Sequence, residues 1–132
     1  MDNQIVVALK GIILRDGKIL IIKRSDSDEI GAGTWETPGG KLDFGEYPEE
    51  ALVREIKEEV GLDATVDGIL YASSFMPNPF RQVIIITYRC TVPKGDVGLS
   101  DEHSDHLWAT NEELVELLPP TILTEFQRHK VI

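Results

Sequence analysis

The sequence predicts helices packed on a mixed β-sheet, in α/β or α+β style. Three observations predict it. Strand-like runs, one amphipathic helix, more strands and then two short helices follow one another along the chain. The 132 residues suit one domain over 1–132, long enough to bury roughly two-thirds of the surface an unfolded chain would expose. Apolar content is 42%, too high for a disordered chain, and no repeat or low-complexity linker divides it.

Residues 4–14 (QIVVALKGIIL) are rich in β-branched side chains and read as a strand. An Asp-Gly turn within 15–18 and a second apolar run, 19–23, complete a hairpin signal. Residues 25–34 read as a polar, glycine-containing loop. Trp35-Glu36-Thr37 reads as a short strand, stopped by Pro38-Gly39-Gly40. Pro48 opens a run of helix formers over 48–60, and Gly61 stands where a C-terminal cap belongs. Leu52, Ile56 and Val60, with Val53 beside them, make one buried stripe. Strands are predicted at 68–75, 81–92 and 106–110, with Met76-Pro77-Asn78-Pro79 as a break. Helices are predicted at 111–118 and 121–130, parted by Pro119-Pro120.

Composition excludes several function classes. The formal charge is −10, from 23 acidic and 13 basic residues, so tracking a nucleic-acid polymer or an anionic membrane is disfavoured. No apolar run reaches the roughly 18 residues of a membrane span, and no basic-then-apolar leader opens the chain. The lone Cys90 excludes an internal disulfide and a four-cysteine zinc site; it alternates with Tyr88 and Val92 and reads as inert core. A cytoplasmic location is expected. The acid is clustered: residues 40–62 carry net −4 and residues 96–116 carry net −7, which leaves +1 for the rest.

At 100° per residue, Glu55, Glu58 and Glu59 share one helix face beside the apolar stripe. Such like-charge pairs each cost a few tenths of a kcal/mol on an exposed helix, and more beside an apolar face. The face is either solvated, with Arg54 and Lys57 as neighbours, or a divalent-cation site. Hard cations such as Mg²⁺ take carboxylate oxygens, and one helix face can present three.

The surrounding spacing favours the cation. Gly40, five residues, Glu46, seven residues, and then Arg54-Glu55-Ile56-Lys57-Glu58-Glu59-Val60-Gly61-Leu62 match all nine specified positions of the Nudix box. The chain resembles a small Nudix hydrolase of the MutT type over its whole length. Trp35-x-x-Pro38-Gly39-Gly40 resembles the usual lead-in. Trp108 with Glu112-Glu113-Leu114 resembles the usual last strand-to-helix segment.

The resemblance implies an α+β Nudix fold, an α/β/α sandwich with a mixed β-sheet. It implies a pyrophosphohydrolase using Mg²⁺, with Mn²⁺ as the alternative. By motif position, Glu55, Glu58, Glu59 and the Gly39 carbonyl are the implied metal ligands, with Glu55 the first choice of general base. Glu46 is implied to orient the helix or a bound water, and Arg54 to hold Glu46 and a ligand glutamate. Glu102, in the acidic stretch 100–105, is implied to complete the metal shell or act as base; a solvated loop is the alternative. Asp101 and Asp105 are weaker candidates. His103 reads as a surface histidine in a polar loop, with a proton shuttle as the alternative. Arg24 resembles a phosphate-contacting arginine, against an exposed strand-end residue. Phe75 and Phe80, with Met76, are candidates for stacking on a base, against core or rim packing. Pro119-Pro120-Thr121 resembles a stretch of MutT, although a proline before a helix needs no pocket to explain it.

The expected substrate is a small nucleotide, (d)NTP to (d)NMP plus pyrophosphate. ADP-ribose or a nucleotide sugar is the runner-up, disfavoured by the absence of extra N-terminal strands. A non-catalytic module is a third reading, opposed by the intact box glutamates. A homodimer is a family-level expectation. No EF-hand spacing occurs.

Overall fold

The computed structural model describes residues 2–26 and 31–132. Residues 27–30 of the predicted 25–34 loop lie outside the described residues. The elements run β1 (Gln4–Arg15), β2 (Lys18–Arg24), β3 (Trp35–Glu36), β4 (Gly39–Lys41), α1 (Pro48–Val60), β5 (Thr65–Asn78), β6 (Arg81–Thr91), β7 (His103–Ala109), α2 (Asn111–Leu117) and α3 (Pro120–Arg128).

The strands form one mixed sheet in the order β3-β2-β1-β6-β5, with β4 on β1 and β7 on β2. β1 and β6 pair in parallel from Gln4↔Arg81 to Leu14↔Thr91, while the other pairings are antiparallel. The opposite edge of β1 is divided. β2 pairs with it at Leu14 and Arg15, and β4 takes over at Ala8, Leu9 and Lys10. The sheet therefore splits between β1 and β2. The segment 35–41 crosses the split, leaving β2 at Glu36 and joining β1 at Gly39. The Gly11 N–H pins the crossing by donating to the Pro38 carbonyl at 2.9 Å.

Two cores flank the sheet. Leu9, Ile13, Leu20 and Ile22 pack with Leu52, Ile56 and Val60 of α1. Ile12, Ile19 and Ile21 pack on the other side with Leu114, Leu118 and Phe126. The apolar run 19–22 is unbroken because successive residues of β2 feed opposite faces, and both faces are covered. Gly11 lets α1 sit close: a Cβ there would meet Ile56 Cδ1 at 3.1 Å and Cys90 Sγ at 3.3 Å. α1 itself begins at Pro48 with Glu49 and Glu50 in its first turn, and ends at Gly61 with φ 71°. That left-handed cap donates its N–H to the Lys57 carbonyl, as a glycine does at little cost. Acids at the start and Lys57 at the end complement the helix dipole.

Several predicted boundaries move, the strand predicted at 68–75 starting at Thr65 and the helix predicted at 121–130 ending at Arg128, and three further shifts reflect strand pairing. Met76–Pro79 does not end a strand, because β5 runs from Thr65 to Asn78. Among the described residues β5 pairs only with β6, and the register slips between Phe75 and Asn78, so Pro77 sits at a bulge on an edge strand. Gly39 and Gly40, read with Pro38 as a stop, fall in strand β4 (Gly39–Lys41), held by its pairing to β1 rather than by propensity. The last strand begins at His103 rather than 106, because Arg24 of β2 extends the pairing to it across a bulge.

Candidate active site

The site stands where α1 passes the split in the sheet. Glu59 is on the buried face of α1, 8% exposed. Its Oε1 accepts a 2.7 Å hydrogen bond from the Gly39 N–H. Burial pushes its carboxyl up to about 7, against the lowering effect of the Gly39 bond and of Lys10 and His103. Gly39 admits no substitute for the close approach it makes: its φ is 152°, and a Cβ would overlap the Leu9 carbonyl. A Cβ on Gly40 would run into the Glu55 carboxyl group. The two glycines thus bring the backbone against both Glu59 and Glu55.

Arg54 organises the outer half of the site. Its Nε and Nη2 donate to the two oxygens of Glu46 at 2.9 and 2.8 Å, a two-pronged bond. Its Nη1 donates to Glu55 at 3.1 Å and to Glu58 at 3.3 Å, and Nη2 reaches Asp43 at 3.5 Å. The Arg54 hydrogen bond holds Glu46 below the usual carboxylate range, and the Asp43 N–H adds to this. Glu55 goes the other way. Burial raises it, and neighbouring Glu58 opposes the help it receives from Arg54. One guanidinium therefore serves several carboxylates, while the repulsion among Glu55, Glu58 and Glu59 is only partly offset.

The stretch carrying Glu102 is stitched to this face. The Gly98 N–H donates to the Val60 carbonyl at 2.9 Å and the Ser100 N–H to the Glu59 carbonyl at 3.0 Å. The Ser25 N–H donates to the Glu102 carbonyl at 2.9 Å. Glu102 and Asp101 are exposed.

His103 corrects its expectation. It is a buried residue, not a surface one, and its Nε2 lies 2.9 Å from Glu36 Oε2. Pairing of β7 with β2 turns the ring inward. Glu36 also meets Lys10 Nζ at 3.5 Å and Arg24 Nη1 at 3.3 Å. Burial works to raise Glu36, but the His103 bond with Lys10 and Arg24 outweighs it and holds the carboxyl at about 2. Glu36 and Lys10 were not singled out from the sequence. Their signal is a lone charge inside a strand: Lys10 amid an apolar run, and Glu36 alternating with Trp35 and Thr37.

Arg24 thus joins the carboxylates through Glu36. Phe75 and Phe80 do not join them. They lie on edge strand β5 and the turn after it, 51% and 42% exposed, two strands or about 10 Å across the sheet from β1. Pro119 and Pro120 stand at the head of α3.

The donor set suits a hard divalent cation. Three carboxylates on one helix face, two of them raised by burial, gain from a cation that neutralises them. The family model of the NUDIX domain matches residues 5–129. The chain belongs to the Nudix family. As a Nudix hydrolase it is an enzyme of a family that acts on small nucleotides and generally uses a divalent metal.

The chain is 42% identical over 97 residues to an ADP-ribose pyrophosphatase of Methanocaldococcus jannaschii, covering 73% of this chain and 56% of that one. It therefore spans just over half the length of that Nudix relative. It is 36% identical over 115 residues to the CTP pyrophosphohydrolase of Escherichia coli, covering 86% of this chain and 82% of that one. The crystal structure of the MutT protein from Methanosarcina mazei superposes with a TM-score of 0.88 at 27% identity, over 98% and 96% of the two chains. The α+β Nudix fold is that of this neighbour. Among the described residues no helix is long and apolar enough to cross a membrane.

Proposed function

We propose that this Nudix hydrolase cleaves a nucleoside triphosphate to the monophosphate and pyrophosphate. The observation that carries the reading is the coverage of its relatives. The match to the CTP pyrophosphohydrolase extends over 82% of that protein, against 56% of the ADP-ribose pyrophosphatase. The higher identity to the latter, 42% against 36%, keeps ADP-ribose as the second substrate class.

The cation of this reading is Mg²⁺ or Mn²⁺, which Glu55, Glu58, Glu59 and the Gly39 carbonyl would hold, with Glu102 from the loop before β7. When bound, the cation neutralises pyrophosphate oxygens and acidifies water beside them. Glu55 takes the proton of the attacking water. Its raised carboxyl suits a base better than an ordinary glutamate would. The water oxygen forms a new bond to phosphorus, the bridging P–O bond breaks, and that electron pair leaves with the departing phosphate group. Arg54 and Glu46 act through Glu55 and Glu58 and are positioning residues. Arg24 supplies a cation for the phosphate chain, and Phe75 and Phe80 are the candidates for stacking on the base. The partner is thus a small nucleotide, and a homodimer remains part of the proposal.

A hydrolysis screen with Mg²⁺ and with Mn²⁺ tests this. It covers ordinary and oxidised (d)NTPs, ADP-ribose, nucleotide sugars, NADH and dinucleoside polyphosphates. Pyrophosphate released from a (d)NTP is the expected outcome. Preferred cleavage of ADP-ribose transfers the assignment to the second class, and no turnover with any compound sinks both.

A further inference from the structure

The hydrolytic reading gives Glu59 a role and leaves its neighbours Glu36 and His103 without one. Glu36 on β3, Glu59 on α1 and His103 at the start of β7 each bring a ligand-type atom within 4.8 Å of the others. Two carboxylates and an imidazole invite a second cation. Their surroundings argue against it. Glu36 already faces Lys10 and Arg24, and a cation in the cluster would stand against both. The cluster is better suited to holding the protein's own parts together.

His103 is the member with the least freedom. Its side chain is 1% exposed. Burying an imidazole is costly unless it is hydrogen-bonded. Nδ1 is buried with no partner among the described residues, so the 2.9 Å bond from Nε2 to Glu36 is what orients the ring. Nε2 faces a carboxylate and therefore donates. This single contact joins β3 to the first residue of β7, directly after Glu102.

The loop before it is tied at both ends, at its exit by the Ser25 N–H, which donates to the Glu102 carbonyl at 2.9 Å. Gly98 and Ser100 are bonded to the end of α1 through the Val60 and Glu59 carbonyls. The turn Ser100–His103 closes with a longer bond, 3.2 Å from the His103 N–H to the Ser100 carbonyl. Pairing with β2 is irregular at this point, with a bulge between Lys23 and Arg24. Beside the Ser25 bond, the His103 side chain is a second anchor, holding the end of the turn to Glu36 from the buried side.

We propose that His103 is a positioning residue: seated on Glu36, it fixes the turn that presents Glu102 to the carboxylate face of α1. The kinetic part rests on the reading of Glu102 as a ligand or base. Glu36 meets three side chains, His103, Arg24 and Lys10. Removing the Glu36 charge disturbs both the acidic loop and the phosphate-facing arginine, whereas removing the imidazole disturbs the loop alone.

The test uses His103→Leu, His103→Gln and Glu36→Gln in the full chain. A glutamine side-chain N–H can donate to Glu36 in place of the imidazole. Amide hydrogen exchange of residues 98–105 without metal should rise at least about 10-fold in His103→Leu, with β6 unchanged. At saturating Mg²⁺ its kcat should fall at least about 10-fold, as small misplacements of catalytic groups do, with KM held within about 2-fold. His103→Gln should recover both, and Glu36→Gln should change KM as well as kcat. Unchanged exchange in His103→Leu overturns the proposal. So does a His103→Gln protein that matches His103→Leu in both readouts at the wild-type melting temperature. A wild-type protein that hydrolyses nothing overturns the hydrolytic reading, and exchange still decides whether His103 pins the turn. A wild-type rate in Glu102→Gln overturns the kinetic part alone.

Discussion

Glu59 should make the metal-free protein less stable as pH rises. Its carboxyl is pushed up from 4.5 to about 7, chiefly by burial. The folded state therefore binds more protons than the unfolded state between those values, so stability falls with rising pH across that window. A shift of this size corresponds to about 3 kcal/mol at pH 8 and to less than about 1 kcal/mol at pH 5. The groups facing Glu59 are the Gly39 N–H, Lys10, Glu36 and His103. Glu36, held at about 2, stays ionised throughout this range and adds no slope; its own stabilisation is lost only as pH falls from 4.5 toward 2. Glu59→Gln keeps an oxygen for the Gly39 N–H and removes the charge. Urea denaturation in EDTA, at pH 5 and pH 8, measures both proteins. Relative to wild type, the variant should be more favourable at pH 8 than at pH 5 by about 2 kcal/mol. An equal difference at the two pH values, or a larger one at pH 5, refutes the reasoning. The same variant should lose cation affinity in calorimetry, a gain in stability set against loss of function.

Gly39→Ala should destabilise the fold by more than about 2 kcal/mol in urea, because its Cβ meets the Leu9 backbone and its φ of 152° disfavours an L side chain. Glu55→Gln should keep the wild-type melting temperature within a few degrees while kcat drops below about 1% of wild type; a near-normal rate removes Glu55 as base. Cys90 is 0% exposed and its thiol is pushed up to about 12 by burial. It should resist a thiol reagent at pH 8 until the chain is unfolded, and fast labelling of the native protein would contradict that burial. Phe126→Ala should cost about 3–5 kcal/mol in denaturant, since the ring is 1% exposed between α3 and the sheet.

Much of the fold was legible because local patterns and tertiary demands agree. Pro48, the stripe through Leu52, Ile56 and Val60, and Gly61 bound α1 at the positions where it is observed. The box placed Glu46, Arg54 and Glu55 in one region, and the structure joins them through one guanidinium. What was not legible depends on pairing between distant residues. Gly39–Lys41 has no strand propensity and becomes β4 only because β1 offers an open edge after β2 leaves it. Pro77 marks a break unless the strand is known to lie at an edge. His103 looks like a loop residue because the sequence does not reveal that Arg24 will pair with it. Its partner Glu36 is 67 residues away, and no local period links them.

The distribution of cations among these acids is the functional content of the fold. Glu36 is ion-paired to Lys10 and Arg24, with His103 bonded to it, and is held far below its ordinary value. Glu46 receives the two-pronged bond from Arg54. Glu55 and Glu58 share what remains of that guanidinium. Glu59 receives a peptide N–H, and among the described residues no side-chain ion pair is found for it. The carboxylate with least help from the chain's own cations is also the most buried of the three on α1. Folding alone gives no reason for this, because an apolar residue at position 59 would pack on the sheet at lower cost. The arrangement becomes favourable once a divalent cation supplies the missing charge. A formal charge of −10 is therefore not spread evenly as solvated surface: some of it is balanced inside the protein, and the part on α1 is the part proposed to hold a metal.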